Sequence, residues 1–364
     1  MGLVHVASLP GFLPVSVTSD LVLGVTAQGV ARWSLGARAP TPVANLSQSL
    51  FARTLGRHPL VRRAARLGVG CGHHLAGKRY LVADRRAIHQ VSLDGTTSVE
   101  KTFEGGMRAL RLTRVEGVPG FEDGVYYGDY GSNPTRHPLT LHRRDTTGTW
   151  RQVFSFPQGA AEHVHAIVPD SARSCLWIFT GDYEDAAGIW QATEGFARVE
   201  PVLRGVQWAR ACVGFPLDRG LLYATDSHLE PNSIRLLEED GGAWKSREIR
   251  PMVGSCIYGG SVAGRNVFTT AVEPGAPTGN RVRDLFDLQP GPGILGRSVE
   301  LVSGTLAQGF QTDLRWEVDW LPKRIFQFST IIVPDLDRDA TMLAGFAMGL
   351  RGRDGRAEIF KFSP

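Results

Sequence analysis

Several absences narrow the reading of this chain before any motif does. No stretch reaches the ~18 uncharged apolar residues that a membrane-spanning helix needs, which excludes an integral helical membrane protein. Lysine is scarce: Lys78, Lys101, Lys245, Lys323 and Lys361 stand among 40 basic residues, and the rest are arginine. The net charge of +4 is spread along the chain and makes no basic stripe, so no nucleic-acid partner is expected. Cysteine is sparse too. The four residues Cys71, Cys175, Cys212 and Cys256 contain no Cys-x-x-Cys pair, which excludes a zinc knuckle, a thioredoxin motif and a disulfide framework. Reduced, buried thiols are the expectation. The first residues carry no basic stretch ahead of their apolar part and contain Pro10 and Pro14, so they do not read as a secretory signal, and the cytoplasm is the expected compartment. The glycine-rich stretches 68–72 and 352–355 lack the strand-to-helix setting and the Gly-Lys-Ser/Thr ending of a phosphate loop. A Gly-x-Ser-x-Gly nucleophile elbow is missing as well. No motif calls for a cofactor, none is expected, and no metal centre is assigned.

Glycine, by contrast, is abundant, at 43 of 364 residues, against the usual one in about fourteen. The chain is turn-rich and has a repeat. Runs of β-branched and aromatic residues meeting a small or acidic turn lie at 80–84, 125–129, 176–182, 221–226 and 266–271, with ends 45, 53, 44 and 45 residues apart. A second strand-like run follows several of them. A strand meander repeating every ~40–50 residues is the signature of a β-propeller, each repeat being one four-stranded blade. With 21–26 and 342–347 the count is seven, so the sequence predicts an all-β, seven-bladed propeller spanning 1–364 as a single domain. Two intervals are too long. The first, 47–68, carries Arg53, Arg57, Arg62, Arg63 and Arg66 among apolar residues and reads as a basic helical insertion interrupted at Pro59. It either caps one edge of the propeller or touches an acidic protein or membrane surface. The second, 274–313, is rich in Gly and Pro and reads as a long surface loop.

Asp145-Thr-Thr-Gly-Thr-Trp150 and Glu239-Asp-Gly-Gly-Ala-Trp244 approximate the Ser-x-Asp-x-Gly-x-Thr-Trp hairpin, or Asp box, in which an acid caps the turn and Trp packs between strands. With the period and the runs 128–134, 162–170 and 180–185, the chain resembles the sialidase-like, BNR-repeat propellers. More narrowly, it looks like the glycosyl-hydrolase-like propellers of bacterial surface-polysaccharide gene sets. That resemblance implies a carbohydrate-active protein whose partner is a polysaccharide or oligosaccharide. The Phe-Arg-Ile-Pro motif of true sialidases is missing.

Blade strands end around one axial funnel, so residues past equivalent strand ends converge. These positions carry Asp129, Asp182, Asp226, Glu230 and Glu273, with Tyr130, Tyr183 and His228 beside them. Paired carboxylates suit glycoside cleavage, at ~5–5.5 Å for retention or ~6.5–9.5 Å for inversion. The same acids can instead cap turns. His163-x-His165 on a strand puts both imidazoles on one face, where they can chelate a metal or supply a general base. Arg136 and Arg210 are candidate clamps for a sugar carboxylate. The expected activity is glycoside hydrolysis. The alternatives are a non-catalytic glycan- or partner-binding propeller, or a polysaccharide lyase with a His or Tyr base.

Overall fold

Each of the seven apolar runs forms the second strand of a four-stranded antiparallel blade, and the blades succeed one another around an axis; Ala271 and Val272 of the sixth also pair with Thr330 and Ser329 of the seventh, joining those two into one sheet. The computed structural model describes residues 2–46, 58–67, 70–182 and 184–363. Blade 1 comprises Leu13–Val17, Leu21–Thr26, Gly29–Ser34 and Thr41–Ala44. Blade 2 begins at Cys71–Ala76, and blade 3 at the interrupted strand Arg108–Ala109 and Thr113–Val115. Blade 4 is His163–Asp170, Cys175–Gly181, Gly188–Thr193 and Arg198–Arg204. Blade 5 runs from Ala211–Leu217 to Ala243–Met252, and blade 6 from Ser255–Val262 to Gly309–Glu317. Blade 7 takes Ser329–Ile332, Leu343–Met348 and Arg356–Phe362 from one end of the chain and Leu3–Pro10 from the other.

Period-two alternation explains why the second strands are the most apolar. In Cys175–Gly181 every residue is buried. Leu176 and Ile178 pack with Tyr126, Leu139 and Leu141 of blade 3. Cys175, Trp177 and Phe179 pack with Ala211, Leu221 and Tyr223 of blade 5. One strand thus serves two interfaces, and neither of its faces tolerates a charge. The ring is closed by the pairing of Leu3 through Pro10 with Phe362 back to Arg356. Glu358, 1% exposed, fixes this closure by accepting from His5 (2.8 Å), Ser8 Oγ (3.3 Å) and Arg353 (3.1 Å).

Two expectations need correction. The region 274–313 is not a loop throughout: it holds the short helix Arg281–Phe286 and then the blade 6 strand Ser298–Thr305, with Gly309–Glu317 beginning before its end. Val299, Leu301 and Val302 are fully buried there, and this apolar pattern outweighs the Gly and Pro preceding it. Of the insertion at 47–68, residues 47–57 and 68 lie outside the described residues, and Pro59–Ala64 is a helix. Its charge is not all presented outward. Arg63 is 4% exposed, donating to Phe326 O (2.7 Å) and pairing with Asp319 and Asp354, while Arg62 lies over the Phe346 ring. No helix among the described residues is long and apolar enough to cross a membrane.

Of the two hairpin motifs, only the first has an acid at its turn. Asp145 Oδ1 accepts from the backbone N–H of Thr147 and Thr149, each at 2.9 Å. In the second, Gly241 and Gly242 make a two-residue turn at φ 63° and 79°, and Asp240 pairs with Lys245 instead. Glycine in both central positions makes the side-chain cap unnecessary. Trp150 and Trp244 are half-buried.

Candidate functional site

The acids after the second strands sit where those strands end beside the start of the innermost strand. His163 pairs with Gly181 in the blade 4 ladder, so Asp182 emerges next to the first imidazole. The ladder then slips between Val164 and Ala166, leaving His165 as a bulge residue. Cys212 occupies the same kind of slip in blade 5. Bulges re-aim side chains; here they turn His165 and Cys212 toward one cluster.

That cluster centres on Asp182. His163 Nε2 and His165 Nε2 stand 3.2 and 3.0 Å from its Oδ1, with Arg210 Nε at 3.2 Å. Arg210 reaches on to Asp226 (3.4 Å) and His228 Nδ1 (3.2 Å), and Cys212 Sγ donates to Asp226 (3.3 Å). Glu273, held by Ser255 Oγ at 2.7 Å, contributes its field to Arg210, Asp226 and His228. The Tyr130 ring meets His163 edge-on at 4.7 Å, with Arg108 over its face. The loop after Glu273 packs alongside, Gly293 N–H donating to His228 O at 3.0 Å.

The environment drives these carboxyls apart. Burial opposes ionisation of Asp182, but Arg210 and the two imidazoles outweigh it and hold the carboxyl well below the ordinary range. Asp226 is pushed up to about 7 by burial, with Arg210 opposing and Glu273 and Asp182 adding to the rise. Glu162, immediately before the inner strand, is raised by burial and by the Asp182 charge, with His163 opposing. Burial lowers His165, whereas the Asp182 contact overcomes burial at His163 and raises it. Asp182 keeps 22% of its side chain exposed, but Asp226 is 2% exposed and walled off behind Arg210 and Cys212.

Asp182, Asp226, Glu273, His163, His165, His228, Arg210 and Tyr130 therefore lie in one cluster, most of it buried. Others named from the sequence do not join them. Asp129 lies inside its strand, opposite Ala109, and turns into its own blade to accept from Thr140 N–H (3.0 Å) and His142 (3.2 Å). Glu230 is exposed on a turn where its N–H donates to Ser227 Oγ. Arg136 is paired with Asp185 and is no open clamp. Arg210 is ion-paired with Asp182 and Asp226. Tyr183 lies outside the described residues. Glu162 was missed, although its position one residue before His163 was a signal for the same strand end.

A separate cavity of about 280 Å³ is lined in part by Arg108, Arg111, Arg114, Asp335 and Tyr258. Its wall carries more arginine than acid.

No protein-family model matches the chain, and no curated protein does. Solved structures are similar in fold. A chain of the mitotic checkpoint complex matches at TM-score 0.55 and 9% identity, covering 99% of this chain and 95% of that one. An oligogalacturonate lyase in complex with manganese matches at TM-score 0.55 and 11% identity, over 100% and 93%. The N-terminal domain of Nup159 gives 0.49 and 11%, over 99% and 95%. At these identities the likeness is one of architecture, and the chain is a β-propeller.

Proposed function

We propose that this propeller is a carbohydrate-active enzyme that cleaves a polysaccharide at the cluster around Asp182, by glycoside hydrolysis. One observation supports the reading: two partly exposed carboxyls, Glu162 next to His163 in the chain and Asp182 in contact with that imidazole, are shifted in opposite directions, Glu162 upward by burial and Asp182 downward by Arg210 and the imidazoles. Glycoside cleavage needs such a split, one carboxylic acid to protonate the leaving oxygen and one basic group on the other side. Glu162 takes the acid's part, and Asp182 with its two imidazoles forms the basic half. Asp226 is too deeply buried to reach a sugar; its part is to hold Arg210.

β-Elimination is the second reading. Arg108 has no carboxylate partner among the described residues and lies beside Tyr130, where a guanidinium would suit a uronate carboxylate. One of the solved structures similar in fold is an oligogalacturonate lyase.

The test is a panel of neutral and acidic polysaccharides, scored for new reducing ends and for the ultraviolet absorbance of unsaturated uronates. Hydrolysis predicts reducing ends without absorbance, lost in Glu162→Gln and Asp182→Asn at nearly unchanged melting temperature. Absorbance would favour the lyase. Glycan binding with no cleavage, unaffected by either substitution, would leave only the non-catalytic reading.

A further inference from the structure

We infer that His163, His165 and Asp182 form a binding site for one divalent first-row metal ion, which goes beyond the cleavage reading and does not depend on which bond is cut. The three donor atoms make a near-equilateral triangle: His163 Nε2 to His165 Nε2 is 2.9 Å, and each lies 3.2 and 3.0 Å, respectively, from Asp182 Oδ1. For metal–ligand bonds of about 2.1 Å, donors at right angles stand about 3.0 Å apart, and donors at tetrahedral angles about 3.4 Å. The triangle therefore has the size of one face of an octahedron. Two histidines and a carboxylate on one face leave the opposite positions open to water and a substrate oxygen.

The outer contacts point the same way. His163 Nδ1 faces Gly131 O (3.2 Å) and His165 Nδ1 faces Ala211 O (2.9 Å). A carbonyl can only accept, so both Nδ1 atoms carry the hydrogen, and both Nε2 atoms of the neutral rings present lone pairs. Two lone pairs 2.9 Å apart repel unless a proton or a metal ion stands between them; the guanidinium nearby, Arg210, meets Asp182 Oδ1 at 3.2 Å. Asp182 Oδ1 is buried and makes no aligned hydrogen bond to any of the nitrogens around it. Arg210 meets the triangle only at its carboxylate corner, with Nε 3.2 Å from Asp182 Oδ1, and its other contacts go to Asp226 and His228.

A second grouping, His165, Cys212 and Asp226, is wholly buried and held by its own Cys212 to Asp226 hydrogen bond, so it serves as packing behind the first.

The test uses the full chain, stripped with EDTA and titrated with Co²⁺, read by equilibrium dialysis and by visible absorption. One equivalent is expected, with the weak bands of a five- or six-coordinate ion. His163→Gln and Asp182→Asn should each weaken uptake at least tenfold, while Asp185→Asn, an exposed acid outside the triangle, should not. Melting of the metal-free proteins checks that each variant folds; if one does not, the other and His165→Gln carry the comparison. No saturable uptake by the wild type would overturn the inference, as it would if a proton fills the gap between the imidazoles. Strong tetrahedral bands, or uptake that persists in the variants, would also overturn it. The readout needs no substrate: an active enzyme that takes up no Co²⁺ refutes the ion alone, and Co²⁺ uptake without cleavage of any glycan refutes the activity alone.

Discussion

Gly181→Ala is the sharpest perturbation of the cluster that leaves every titratable group in place. A methyl group at Gly181 would fall 2.2 Å from Cε1 and 2.5 Å from Nε2 of His165. Ordinary carbon contacts are about 3.5–4.0 Å, so the imidazole must retreat by more than about 1 Å. It has little room, being 3% exposed and tied through Nδ1 to Ala211 O. Overpacking of this kind costs about 1–3 kcal/mol, and loss of the Ala211 hydrogen bond adds about 1 kcal/mol, for a total near 2–4 kcal/mol. Equilibrium urea unfolding followed by tryptophan fluorescence should give a lower midpoint at an unchanged slope. The same sample should lose Co²⁺ uptake, because His165 Nε2 leaves the triangle. Gly296→Ala, where nothing lies within 4 Å of the added carbon, is the matched control and should change neither property. A Gly181→Ala protein with the wild-type midpoint and full uptake would refute the claim that this glycine seats His165.

Trp177→Ala should cost about 3–5 kcal/mol, since the ring is fully buried between blades and its Nε1 donates to Asp170, whereas half-buried Trp244→Ala should cost about half as much; equal losses in thermal melts would contradict the assignment of interface and rim. Asp129→Asn should lower stability by about 1 kcal/mol through its bonds to Thr140 and His142 while sparing any cleavage activity. Asp319 is disfavoured by burial but brought below its ordinary value by Lys323 and Arg63. A carboxyl lowered in the folded state stabilises above its unfolded value, near pH 4, and that contribution disappears as pH falls further. The melting-temperature gap between wild type and Asp319→Asn should therefore be full above about pH 5 and should close toward pH 3.

The parts of this fold legible in the sequence were the second strands, because burial on both faces writes an uninterrupted apolar run such as Leu176 to Phe179. The innermost strands were harder to read. They are broken by glycines such as Gly72, Gly214 and Gly259, which let side chains of the preceding blade come close: the Cβ positions at Gly72 and Gly214 lie under 3 Å from Val15 and Phe179. Only His163–Asp170 announced itself, through its His-x-His pair. Convergence of Asp182, Asp226 and Glu273 followed from equivalent strand ends. Asp129 failed the same argument because its strand runs on to Tyr130, which leaves the acid inside the ladder. Spacing along the chain could not register that one-step difference, nor show that Asp226 would be sealed off while Glu162 stayed reachable.

The pairing of Leu3–Pro10 with Arg356–Phe362 has a consequence for the order of events during synthesis. Blades 1 through 6 are each made of consecutive strands and can form as the chain emerges. Blade 7 cannot: its outermost strand is made before blade 1, and its partner only after blade 6. Until then the early segment has an unpaired hydrogen-bonding edge, and the carboxylate that will bind His5 and Ser8 does not yet exist. Ring closure is thus a late, long-range step, slow for the same reason that distant contacts slow folding generally. A chain stalled before residue 356 would hold six finished blades and an open seam, a species that proteases and aggregation would find before any substrate did.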